Sequence, residues 1–312
     1  MPFQNAVNVQ PVPGIPGDFA SLNPRFSAMI GPGGLIAGPA GVTIGAFAWS
    51  TDTFIDSDGA PAIVNSFGSG PVTGFVPRNQ QGLITTFLAE TSNIIPSGFQ
   101  MSLFTGGDFW IKNSGTTQAL PGMFAYANYS NGLATFAAAS SAATFTGTAA
   151  NAATTGSFTG SIAGNVLTIT AVTSGVAVPG GTISGTGVAT GTQIVSQLSG
   201  TAGGIGTYAL SIPEQTVAST TISETYGTLT VSVASTGTLG VGDVVTTGTA
   251  ILGAAVTGLG TGTGGTGTYM LNSNATFASG AVVLATQAQT KWICMSSGLT
   301  GETVKITDHP QG

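Results

Sequence analysis

The chain holds one thiol, Cys294, and one imidazole, His309, 15 residues apart near the C-terminus. A cysteine nucleophile needs a base within hydrogen-bond reach and a third group to orient that base. Here the partners would have to meet inside a polar tail. The simpler reading places Cys294 as a small buried hydrophobe in a strand Trp292-Ile293-Cys294-Met295. With one Cys and one His, a zinc site lacks its usual ligands and no intrachain disulfide can form. Asp52, Asp56 and Asp58-Gly59 place carboxylates near a turn glycine, as a calcium loop does. The later bidentate Glu is missing, so the segment reads as a solvated turn. Gly258-Leu259-Gly260-Thr261-Gly262 has the glycine content of a phosphate loop. It lacks the lysine that reaches the phosphates and the helix that follows. The eleven acids are scattered, and no pair sits in a distinctive glycosidase motif. The expectation is a non-enzymatic chain with no catalytic residue, no cofactor and no metal.

Composition narrows the class further. Of 312 residues, 42% are apolar and only 5% charged, against about 25% charged in ordinary soluble domains. Disordered chains combine low apolar content with high net charge. This chain instead alternates Val, Ile, Leu and Phe with Thr and Ser. The expectation is β-structure coated with hydroxyls and amides. Net charge is −6 with five Lys plus Arg, too few to build the basic footprint that phosphates require, so nucleic acid is not an expected partner. Residues 26–51 are uncharged and long enough to span a bilayer. Pro32, Pro39 and six glycines break any helix there, so no membrane partner is expected either.

The elements follow from periodicity. Val42–Trp49 alternates as a strand, and so does Asp108–Asn113, with Phe109 and Ile111 on one face and Trp110 and Lys112 on the other. Asn131-Gly132 predicts a two-residue type I′ corner in a hairpin over 129–136. One candidate short helix lies within 73–104, where Leu83, Ile84, Phe87 and Leu88 share a face, weakened by Gly82. Near residue 137 the composition changes. No Lys, Arg, His, Trp or Cys occurs between Lys112 and Lys291, and Glu214, Glu224 and Asp243 are the only acids from Ser141 to Gln289. The block repeats internally. Asn165–Thr170 matches Gly227–Ser232, and Thr201–Leu210 matches Gly262–Leu271, at offsets of 62 and 61. The predicted fold class is mainly β: a compact barrel or sandwich body, 1–140 with 288–312, interrupted by two repeated small antiparallel units, 141–223 and 224–287.

Several segments carry a family resemblance. Gly107-Asp108-Phe109-Trp110 with Lys112-Asn113, then Gly122 and Ala125-Tyr126-Ala127-Asn128, resembles the structural cement, or head decoration, proteins of tailed bacteriophages. Residues 4–21, 34–49, 74–90, 95–100 and 290–306 are similar to the same family in order. The Gly/Thr-rich repeats more loosely resemble modules of other phage virion proteins. The resemblance implies a non-enzymatic virion protein, made in the bacterial cytoplasm and bound to the outside of the head, with the major capsid protein as partner and shell stabilisation as its role. It also implies a homo-oligomer, a trimer ahead of a dimer. An alternative is a tail-associated or surface adhesin that binds carbohydrate through the repeats. The expected capsid contact is an extended arm. Phe3, Val7, Val9, Val12 and Ile15 are interleaved there with Pro11, Pro13 and Pro16, and no charge precedes Asp18.

Overall fold

The computed structural model describes residues 14–29, 34–38, 40–50, 62–78, 93–140, 142–212, 215–247 and 250–309. Among them the chain is all β, and no helix is long and apolar enough to cross a membrane. The candidate helix residues Leu83, Ile84, Phe87 and Leu88 and the acids Asp52, Asp56 and Asp58 lie outside the described residues.

The body is two sheets face to face. One runs in the order Phe26–Ser27, Phe104–Gly106, Gly74–Phe75, Phe47–Ser50, Ala62–Asn65, Leu35–Ala37, Gln100–Met101. The other runs Phe109–Lys112, Thr303–Thr307, Gln287–Cys294, Phe124–Asn128, Ala134–Ala137. The N-terminal and C-terminal parts of the chain therefore complete one sheet between them. Their inner faces meet in an aromatic core. Phe75 stacks on Phe109 at 4.5 Å, Phe47 packs on Trp292 at 5.4 Å, and Ile111, Phe136, Val304 and Ile306 fill the space around them. Trp292 donates its indole N–H to Gly107 O at 3.1 Å, which satisfies the polar end of a buried ring. Cys294 belongs to this core, as its strand position predicts.

Two local expectations need refinement. Trp110, on the opposite face from Phe109, is also buried, because the backbone at Gly14 lies against its ring; a Cβ there would stand 2.4 Å away. Residues 17–20 run beside this strand, with Gly17 N donating to Trp110 O and Ala20 N to Asp108 O. The 129–136 corner is not a type I′ turn, since Gly132 has φ +69° and Asn131 is not in the left-handed region. A longer loop forms instead, closed by Gly132 N to Asn128 O at 2.8 Å. It must approach the facing strand: Phe47 N donates to Gly132 O, and a Cβ at Gly132 would meet Phe47 O at 2.0 Å.

Residues between the body's halves form one ten-stranded sheet. Its spine is two antiparallel strands, Thr144–Gly164 and Gln215–Thr236, of 21 and 22 residues. At ~3.3 Å per residue each is about 70 Å long. The boundary drawn from sequence at 223/224 falls inside the second of them. Along the first strand the buried positions are odd from Phe145 to Asn151 and even from Gly156 to Ile162. The pairing between these stretches is unbulged, with Asn151 opposite Leu229 and Gly156 opposite Glu224. Successive residues of a strand point to opposite faces, so this change of parity moves the core across the ribbon. One core, around Phe158, Ile162, Tyr208 and Ile222, lies on one face at one end. The other, around Phe145, Leu229, Tyr269 and Leu284, lies on the opposite face at the other end.

The two copies repeat in detail. Gly180 N donates to Ile194 O and Gly242 N to Val256 O, both at 2.7 Å and 62 residues apart. Tyr208 OH donates to Gly204 O, and Tyr269 OH to Gly265 O.

Candidate functional site

The described residues next to the arm expose an unusual run of apolar side chains. Ile15 is 51% exposed, Phe19 40%, Leu22 99%, Phe26 57% and Met29 95%. Scattered exposed hydrophobes are ordinary, but five within fifteen residues is an unusual density, and concentrated exposed apolar surface marks interaction sites. Phe26–Ser27 is also the outermost strand of its sheet, pairing only with Phe104–Gly106 among the described residues. An unpaired edge with apolar neighbours is a template for a partner strand. Of the predicted arm residues, Ile15 belongs to this patch; Phe3, Val7, Val9 and Val12 lie outside the described residues.

A polar clasp fixes the patch to the body. Asp108 accepts hydrogen bonds from Ser21 Oγ and Asn23 Nδ2, both at 2.6 Å, and from Thr307 Oγ1. Asp308 accepts from Gly107 N at 2.7 Å and pairs with Lys291 Nζ at 2.8 Å. His309 Nε2 lies 3.2 Å from Pro24 O. Burial desolvates the Asp108 carboxylate and pushes its pKa up. The hydrogen bonds from Ser21, Thr307 and Asn23, with the nearby His309, outweigh that and hold it below the usual value. A carboxylate with a depressed pKa stabilises the fold above its unfolded-state pKa, and loses that contribution as pH falls through the folded one. Asp108, Asp308 and His309 could gather around a cation, but their oxygens already serve the backbone, hydroxyls and Lys291. The cluster reads as a structural tie. We expect Asp108→Ala to cost about 1–3 kcal/mol, the usual penalty for buried donors left without an acceptor. Amide exchange at Gly17, Ala20 and Ala28 should then accelerate well beyond that in the Phe109–Lys112 strand. Unchanged exchange in that segment would show that the clasp does not hold it.

The remaining candidate residues do not assemble into chemistry. Cys294 Sγ hydrogen-bonds to Ser296 O at 3.0 Å, and burial pushes its thiol pKa up, the opposite of an activated nucleophile. His309 is engaged at Pro24 and Asp308 instead.

Two acids that looked merely scattered in the sequence are fully buried. Glu224 accepts both its bonds from Val178 N, at 3.0 and 3.2 Å, and desolvation pushes its pKa up to about 8. Asp243 accepts from Gly240 N at 2.7 Å, and desolvation pushes it up to about 7. Val178 and Gly240 are equivalent positions of the two copies. The same turn amide is thus capped by a carboxylate from the long strand in one copy and from the turn itself in the other. Gly181, the counterpart of Asp243, has to be small: a Cβ there would stand 1.8 Å from Glu224 Oε1.

A family model described as XM1 gp53 minor capsid protein matches residues 3–204. The match spans roughly two thirds of the chain and continues past the composition change near residue 137 into the first repeat. No curated protein and no solved structure matches the chain.

Proposed function

Because the chain belongs to the XM1 gp53 minor capsid protein family, a family of phage structural proteins, we propose that it is a decoration protein. In this reading it is held on the outer surface of the head by its N-terminal arm and the apolar patch that continues it, with the major capsid protein as partner. The observation that carries this reading is the density of exposed apolar side chains from Ile15 to Met29, with Phe26 on the outermost strand of its sheet. The arm adds uncharged, proline-interrupted sequence suited to lying extended along a neighbouring subunit. Bridging adjacent capsid subunits with one folded body would stiffen the shell, which is the cement role. With so few charges, attachment depends on apolar area and shape and resists moderate salt. Clustering as a trimer would multiply such contacts through avidity.

Binding of purified protein to naked capsids, read by co-sedimentation, tests this. Leu22→Ser with Met29→Ser changes two side chains that are 99% and 95% exposed, so folding should be untouched. Deleting residues 2–13 removes the arm and keeps Gly14, whose backbone covers Trp110. Each variant is expected to melt like the native protein and to lose at least tenfold in capsid affinity, about 1.4 kcal/mol. Folded variants that decorate capsids undiminished would overturn the proposal.

A further inference from the structure

The two repeats share one strand, Thr144–Gly164, and use it in the same way. Its second half, 157–163, lies between 166–174 and 216–223, and these residues belong to the outer unit, 157–223. Its first half, 144–151, lies between 229–236 and 277–285, and belongs with 227–285 to the inner unit. The registers agree residue for residue. Ile162 faces Leu167 on one side and Val217 on the other; Asn151 faces Leu229 and Phe277. Gly160 faces Ile169 and Thr220; Ala149 faces Val231 and Gly280. The shift along the shared strand is 11 residues, and the partners lie 62 and 60 residues further on in both cases. The irregularity in pairing also falls at the same place, between Gly160 and Ile162 and between Ala149 and Asn151. An odd shift along a strand exchanges its faces, so the two units pack on opposite sides of the ribbon.

The connection is what differs. In the outer unit the shared strand turns straight back into its neighbour at Gly164-Asn165, where Gly164 takes φ +65°. In the inner unit the same connection, from Asn151 to Gly227, contains the whole of the outer unit. Docking follows the same order. Gly180 of the outer unit sits against Asn272 of the inner one, and its counterpart Gly242 sits against Gly68 O and Tyr129 O of the body. Both glycines have positive φ, +86° and +95°, which a side chain would strain. Each unit thus lies on the part whose chain flanks it, through the same turn. The outer unit carries the matching seat. Asn272 Oδ1 accepts from Ala255 N at 2.8 Å, and Ser211 Oγ, in the corresponding place, accepts from Gln193 N at 2.9 Å. Ser211 adjoins the hairpin corner, because Leu210 N donates to Asn165 O at 2.8 Å. Among the described residues, a Cβ on Gly164 would meet nothing within 4 Å.

We propose that the outer unit is an insertion in a hairpin corner of the inner one, and that the Gly164-Asn165 corner, with Ser211 beside it, is an acceptor site for a further unit of the same fold. The partner that fits is a segment like 152–226. Its two ends continue the strands on either side of the corner in register, and its glycine turn, at the position of Gly180, lies on Ser211. Each added unit lengthens the shared strand by the same 11 residues, about 36 Å of spine, and faces away from the unit that holds it. The reach of the repeat sheet is then set by the number of units, with the body and its contacts unchanged. None of this depends on how the protein is attached to the virion.

Three full-length variants test it beside the native chain. The first replaces 152–226 by Ala-Gly, the two residues of the existing corner, so that Asn151 turns directly into Gly227. The second puts an additional 152–226 segment in place of Ala163-Gly164. The third inserts that segment after Gly253, where a Cβ would also meet nothing within 4 Å but which the shared strand does not enter. The first two are expected to be soluble and to melt cooperatively. Small-angle X-ray scattering should give them maximum dimensions respectively shorter and longer than the native one, by about 36 Å. In the second variant the added unit should melt together with the other two. In the third it should melt apart from them, at lower temperature. An excised chain that aggregates or loses its transition would show that the inner unit is not complete without the outer one. An added unit that fails to fold at the Gly164 corner, or that melts there no differently than at Gly253, would show that the corner is no seat. Any of these results overturns the proposal.

Discussion

Removing residues 144–285 and joining Ala143 to Thr286 through a short Gly/Ser linker is expected to leave a soluble, cooperatively folding body. The two ends of the intervening sheet are already in contact: Thr286 donates to Ala143 O through both its amide and its hydroxyl, each at 3.0 Å. A short linker therefore closes the gap at small loop-entropy cost. The aromatic core of Phe47, Phe75, Phe109 and Trp292 lies wholly in the retained residues. What is lost is the packing of Val244 and Ala285 against that core and the seat of Gly242 on Tyr129 and Gly68. Those losses should lower the melting temperature without abolishing the transition. Melting followed by near-ultraviolet circular dichroism checks this. An insoluble product, or loss of signal without a sigmoidal transition, would mean that the ten-stranded sheet is integral to the body's folding.

The second large effect is a pH dependence of opposite sign in the two parts. Glu224 and Asp243 have pKa values raised to about 8 and about 7 by desolvation. The folded sheet then holds protons that the unfolded chain has released. Stability from these sites is complete below the unfolded carboxylate range and falls as pH rises through the folded values. Each tenfold gain in proton affinity on folding is worth about 1.4 kcal/mol, so the melting temperature should fall by at least several degrees across this pH window. Asp108 acts the other way on the body, losing its stabilisation in acid. Differential scanning calorimetry from pH 4 to 9 should show the repeat transition drop with rising pH. Glu224→Gln keeps an acceptor for Val178 N and removes the charge. It should match the native protein at pH 5 and melt higher than it at pH 8.5. A flat native profile, or a glutamine variant less stable at pH 8.5, would show that Glu224 is ionised at no cost.

Much of the body was legible because its strands alternate large apolar residues with polar ones. Phe109 and Ile111 fall on the core side, and Trp292 and Cys294, in the same sheet, add to that core, as spacing alone requires. The partner of Trp110 was not legible, since its ring is covered by backbone at Gly14, and backbone contact leaves no side-chain pattern. The long spine was hidden behind the expectation of two small antiparallel units for a related reason. Its middle, Ala152-Ala153-Thr154-Thr155, carries no large apolar residue, and the buried positions change parity across it. That change resembles a break between strands. The buried carboxylates left a readable trace. Ile222, Glu224 and Tyr226 occupy alternating buried positions, and an acid in phase with an apolar face is a buried acid. Ile15, Phe19, Leu22, Phe26 and Met29 are spaced as on a helix face, yet Pro16, Gly17 and Pro24 exclude a helix there, so the spacing is no guide to their exposure.

The central claim is that the chain sits on the head's exterior with its N-terminal face against the shell. Cryo-electron microscopy of intact virions, with the fold fitted into the map, tests it most directly. The account predicts density outside the capsid, with Ile15 to Met29 contacting the major capsid protein and the ten-stranded sheet pointing outward. Density confined to the tail or the capsid interior, or a body docked through its repeats with Leu22 and Met29 facing solvent, would contradict it.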